Sequence, residues 1–216
     1  MKPDYDRAAT KAMELLVKFG IDSAPIDPFP IIRETPDTVL VTFTEFSDDV
    51  GIARSKLMNT PDAFSSVRLI DGKQQYIIAY NKKLGEHNHS LHCALARELG
   101  HAILGHDGSL PYDVRMEEVR CFHHHLLCPR PLVNLIQASG IRLTNAALNF
   151  MTGCNEQCLE SMRTLPETHV PAELNRQVRD QFMDYFMNHF ECQRVRKLTD
   201  GTALAYFGTY MTGYEE

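Results

Sequence analysis

No run of apolar residues in this chain of 216 approaches the ~18–20 needed to span a bilayer, so no membrane-spanning helix is expected. The Met1 end has no signal-peptide pattern, and a cytoplasmic protein is expected. No basic run exceeds Arg194-Val195-Arg196-Lys197, and 22 Lys and Arg face 28 Asp and Glu, for a formal net charge of −6. Sequence-independent nucleic-acid binding rests on basic side chains neutralising phosphates, so this balance argues against direct nucleic-acid binding. The six cysteines follow no framework spacing, which in a chain without a secretory signal reads as reduced thiols. Cys154 and Cys158 share a helix face and would make half a zinc site, although free cysteine is more often simply core. Internal repeats and low-complexity segments are absent from the sequence.

What is present is enough to build a core: 44% of residues are hydrophobic and 23% charged. Ala8, Ala12, Leu15, Leu16 and Phe19 form one stripe of a helix over 5–19, stopped by Gly20. After a proline-rich link come three β-rich stretches, Val39–Phe46, Gly51–Met58 and Val67–Asn81, the last carrying the hairpin signal Asp71-Gly72. From residue 89 onward the pattern is helical. Leu91, Leu95, Leu99, Ala102 and Ile103 make one stripe, and Val114–Leu127 makes another, closed by Pro129 and Pro131. Further helices are expected over 132–139, 143–150, 154–164 and 171–196. The expected fold is therefore α+β: a small antiparallel sheet packed with helices, followed by an all-helical C-terminal part. Two regions are expected, 1–131 and 132–216.

The chemistry concentrates in Ala96-Arg97-Glu98-Leu99-Gly100-His101 and the following Ala102–His106. Helical residues i and i+4 point the same way, so ligands so spaced can grip one zinc ion, and the residue after the first ligand can serve as general base. Here Glu98 occupies the base position and His101 the second ligand position, while Arg97 occupies the first. On the next helix Glu118 is suited to be a third, carboxylate ligand. Val119, Phe122 and Leu126 would pack that helix onto the first.

Three stretches give the chain a resemblance to the ImmA/IrrE family of zinc-peptidase-like proteins: Ala24-Pro25-Ile26-Asp27-Pro28, Glu98–His106, and Glu118 through Phe122 to Leu126-Leu127-Cys128-Pro129. With a helix-turn-helix-like pair at 143–165 they cover roughly residues 5–165. The resemblance implies a zincin-like domain over 1–131, with Glu98 as catalytic base and His101 and Glu118 as zinc ligands. It also implies a regulator acting on a protein partner such as a mobile-element repressor. Arg97 departs from the family, which carries there the first histidine of its His-Glu-x-x-His motif.

A guanidinium cannot be a ligand. Held about 5 Å from zinc, its charge would cost roughly 6–7 kcal/mol at an effective dielectric near 20. That is about half the ~10–16 kcal/mol of a good structural zinc site. Two readings stay open. Zinc could be bound if Arg97 swings away and another residue joins, His106 being a candidate because Gly105 lets the chain turn back. Alternatively the protein is a catalytically degraded, metal-free binding module in which Arg97 pairs with Glu98 or Glu118. His123, His124 and His125 diverge by ~100° per residue, so they cannot converge on one ion. They read as boundary or solvent-facing residues, with His125 alone on the Glu118 face. His87, His89 and His92 read as surface residues. Glu156 and Glu160 against Arg163 make the 143–165 pair a packing or protein-docking module.

Overall fold

The computed structural model describes residues 1–53, 57, 62–138, 144–154, 156–189, 192–197 and 203–207. Helix α1 (Tyr5–Lys18) starts where the Asp4 side chain accepts the Arg7 amide at 3.0 Å, and buries Ala8, Ala9, Ala12, Met13, Leu15 and Leu16. A short α2 (Pro28–Glu34) follows, capped by Asp27, and then strand β1 (Thr38–Thr42). The strand ends at Thr42 because Thr42 and Glu45 form a reciprocal capping box that opens α3 (Phe43–Val50). The second half of the expected Val39–Phe46 strand is therefore helix. Gly51 closes α3 in the left-handed region, so the Gly51–Met58 stretch does not begin as a strand; Leu57 has helical backbone, and 54–56 and 58 lie outside the described residues.

Strands β2 (Ala63–Ile70) and β3 (Lys73–Tyr80) form the hairpin that Asp71-Gly72 signalled. Both turn residues have positive φ, 51° and 77°, as a type I′ turn requires. The sheet order is β1-β3-β2, with β1 parallel to β3 and β2 antiparallel to it. The sheet is thus mixed rather than antiparallel, because α3 lies in the crossover that returns the chain in the same direction. Central β3 is buried on both faces, which explains its unbroken Tyr76-Ile77-Ile78-Ala79-Tyr80 run. Ile78 and Tyr80 face the main helical core, whereas Ile77 and Ala79 face a smaller cluster with Phe46 and Leu57.

Helices α4 (His89–Ile103) and α5 (Tyr112–Leu127) follow. They approach closely at Gly100, where an added Cβ would stand 2.9 Å from Phe122 Cδ1 and 3.4 Å from Val119 Cγ1. Then come α6 (Arg130–Ala138), α7 (Asn145–Thr152) and α8 (Glu156–Arg163), the last two joined across Gly153. The long helix expected over 171–196 is instead α9 (Ala172–Gln181) and α10 (Met183–His189), followed by strand β4 (Cys192–Lys197), which pairs with β5 (Ala203–Phe207). Val178, Phe182, Tyr185 and Phe186, at i, i+4, i+7 and i+8, stay on one stripe across the interruption at Phe182 and enter the main core. That core also holds Leu16, Leu95, Phe122, Leu132 and Leu159, so it takes residues from both sides of position 131. Among the described residues, no helix is long and apolar enough to cross a membrane.

Candidate functional site

The apolar stripe of α4 (Leu91, Leu95, Leu99) is buried, and it carries Glu98 inward with it. Only 7% of Glu98 is exposed. Its carboxylate accepts from Ser65 Oγ on β2 at 2.7 Å and from the Nε of Arg97 at 3.2 Å. Burial pushes the Glu98 carboxyl above the ordinary glutamate value, with Ser65 and Arg97 opposing that rise. Arg97 is half-buried and spends its charge on the neighbouring Glu98 rather than on Glu118.

The end of α4 explains how a residue outside the helix joins the site. Gly105 takes φ 68°, the chain reverses, and the His106 amide returns to the His101 carbonyl at 2.9 Å. This is the glycine-terminated helix end in which the residue after the glycine bonds back five positions. It sets the His106 ring beside His101, with their Nδ1 atoms 3.1 Å apart. His106 Nε2 then lies 2.9 Å from Glu118 Oε2. A carboxylate only accepts, so His106 Nε2–H donates to Glu118. In neutral His106 the Nδ1 accepts, so His101 donates from Nδ1 and keeps its lone pair on Nε2.

Glu118 is further fixed from α1. Its Oε1 accepts the Asp4 amide at 2.8 Å, and Arg7 Nη1 stands 4.0 Å from Oε2. Arg7 also donates to the Leu104 carbonyl at 2.5 Å, placing a cation at the negative end of α4. Burial, followed by the charges of His106, Arg115 and Arg97, lowers the His101 pKa to about 4. Burial lowers that of His106 as well, while the bond to Glu118 and its charge pull the other way. Both rings are accordingly neutral at pH 7.

The structure thus joins His101 and Glu118 through His106, and sets Glu98 with Arg97 and Ser65. Ser65, Asp4 and Arg7 were not foreseen, and nothing in their local sequence marks them. The signal for His106 was Gly105. His125, seven residues beyond Glu118, does not face this centre: its Nδ1–H donates to the Cys121 carbonyl at 2.8 Å and its Nε2 accepts from Thr168 at 3.1 Å. Contrary to the solvent-facing expectation, His124 and His125 are buried, because Ser161 and Thr168 close over that turn of α5. Cys154 is buried in the core, while the Cys158 side chain lies outside the described residues.

A zinc ion needs several donor atoms converging on one point. Among the described residues, no group of three or more His, Cys, Asp or Glu side chains is arranged to hold a metal. The zinc-type donors that come together, His101, His106 and Glu118, are turned on one another in a chain. Comparison with protein-family models, with curated proteins and with solved structures found no match.

Proposed function

We propose that the protein is a zinc-peptidase-like regulator, of the ImmA/IrrE type, which binds a protein partner beside Glu98 without a metal. One observation carries this reading: Glu98 is held between Arg97, at the first-ligand position, and Ser65, on edge strand β2. The guanidinium supplies beside Glu98 a positive charge that a metal supplies in a hydrolase, and the pairing satisfies a carboxylate that would be costly to bury alone. Among the described residues β2 pairs only with β3, which leaves its other edge to receive an extended segment running past Ser65 and Glu98. Val67, Leu69 and Ile70 on the same strand are exposed and offer apolar contacts to such a segment. A helix-turn-helix repressor is the proposed class of partner; the resemblance, not the geometry, suggests it.

A second reading keeps catalysis. The neutral His101 with its Nε2 lone pair, together with His106 and Glu118, supplies zinc-type donors on adjoining elements, and a Glu98 carboxyl raised by burial suits a general base. In that case these side chains turn away from one another to receive an ion.

Metal content decides between the two. Wild type purified without added zinc is expected to hold far less than one equivalent, and Arg97→His about one, as a three-ligand site does. About one equivalent in wild type overturns the metal-free reading. Partner binding is tested by titrating candidate repressors against Leu69→Asp, which is expected to weaken an edge-strand complex without altering metal content.

A further inference from the structure

A separate concavity lies between α6 and α9, with Met13 of α1 contributing to its lining. We propose that this cleft binds a small phosphate ester, with arginines holding the phosphate and an apolar wall receiving the rest of the molecule.

The placement follows from helical spacing. On α6, Arg130, Asn134 and Ala138 fall at i, i+4 and i+8; on α9, Ala172, Asn175, Arg176 and Arg179 fall at i, i+3, i+4 and i+7. Each series is one helix face, and both faces line the cleft. Three arginines therefore line one concavity of a chain whose net charge is −6. No Asp or Glu is among the described residues that line it. Glu173 and Asp180, which bond Arg176 and Arg179 at 2.7 Å, lie outside that lining. Arg130 makes no ion pair among the described residues. Exposed pairs of this kind are weak, so a bound dianion competes for the guanidinium donors at little cost. Planar guanidinium groups fit phosphate oxygens two at a time.

The remaining walls suit a small molecule. Met13, Leu135 and Val170 are apolar. On another wall His125 and Thr168 satisfy each other, at 3.1 Å, so they demand nothing from a ligand. The volume, about 690 Å³, lies within the ~300–1,000 Å³ of small-molecule sites. A cleft of this volume, with its arginines on two facing helices and an apolar wall between, matches a small ester in size. The inference does not rest on the reading of the Glu98 site.

The experiment is calorimetric titration of the full chain at low ionic strength with phenyl phosphate and with inorganic pyrophosphate. Saturable binding is expected, weakened about tenfold or more by Arg130→Gln combined with Arg179→Gln, since each loses a charge-assisted pair. Arg68→Gln, on the sheet, is the charge control and should bind as wild type does. If the double variant fails to fold, Arg130→Gln alone serves, because that side chain is exposed and outside any described ion pair. Binding to phosphoinositide vesicles, lost in the same variants, would assign the ester to a lipid headgroup rather than a free metabolite. The proposal is overturned by no saturable binding up to millimolar probe, by equal weakening in Arg68→Gln, or by a polyglutamate peptide binding where both phosphates do not.

Discussion

Toward the start of α5, Glu118 receives His106 and, through it, His101; toward its end come His123 and His124, whose rings lie 3.9 Å apart, and His125. Both clusters are rich in imidazole and largely buried, and both look metal-like on the page. The first is assembled from α1, α4, the turn after α4, and α5: the His101–His106 contact is local to one helix end, and the bonds to Glu118 come from other elements. The second is satisfied largely by local geometry: His123 and His125 donate to carbonyls four residues back, Val119 and Cys121, while His124 and His125 reach hydroxyls of Ser161 and Thr168. The contrast teaches that histidine content says little about function. What matters is whether the rings bond to a charged group, as His106 does to Glu118, or to the helix's own carbonyls.

The largest test removes the anchor of the first cluster. Glu118→Ala leaves the His106 Nε2–H and the Asp4 amide without their acceptor in a buried setting, and should cost about 2–4 kcal/mol by urea unfolding. A loss below about 1 kcal/mol would mean that Glu118 is a spectator and that the two clusters are alike.

Acid titration sharpens the comparison next. The native pKa values of His101 and His123 are lowered to about 4 and that of His124 to about 2, chiefly by burial. An unfolded histidine takes its proton near 6.5. Between pH 6.5 and 4 the unfolded chain therefore binds protons that the native chain refuses. Stability is intact above that window and falls as the pH drops through it, by about 1.4 kcal/mol per pH unit for each such ring. His124→Gln should flatten the slope of unfolding free energy against pH by one ring's share. An unchanged slope would show that His124 titrates normally in the native state.

The smallest effect is expected from Thr168→Val, which removes one neutral hydrogen bond to His125 and should cost about 1 kcal/mol by thermal melting. Zinc uptake by Arg97→His should be indifferent to this change; altered uptake would tie the second cluster to the first.

The stripes of α1, α4 and α5 and the type I′ hairpin were legible because their signals are local: a period of 3.6, a period of two, a glycine where φ is positive. The Thr42–Glu45 capping box is equally local but lies inside a β-rich stretch whose propensity masks it, and the sheet's mixed direction depends on the helix it opens. The break at Phe182 is not legible, since the apolar stripe of Val178, Phe182, Tyr185 and Phe186 runs through it in unbroken helical phase. At the site, Arg97, Glu98, His101 and Glu118 could be singled out from spacing, and Gly105 pointed to His106. Ser65, Asp4 and Arg7 could not be found, because they lie 33, 114 and 111 residues from the carboxylates they approach: 98 − 65, 118 − 4 and 118 − 7.

By itself the sequence determined which residue types share a helix face, and that position 97 carries a permanent cation next to Glu98. Only the tertiary structure decided which acid that cation meets, and that the nearby imidazoles spend their protons on one another and on Glu118. The reason is range. Helical phase is set within a few residues, whereas the partner of a buried charge depends on which distant segment packs against it, and only folding supplies that segment.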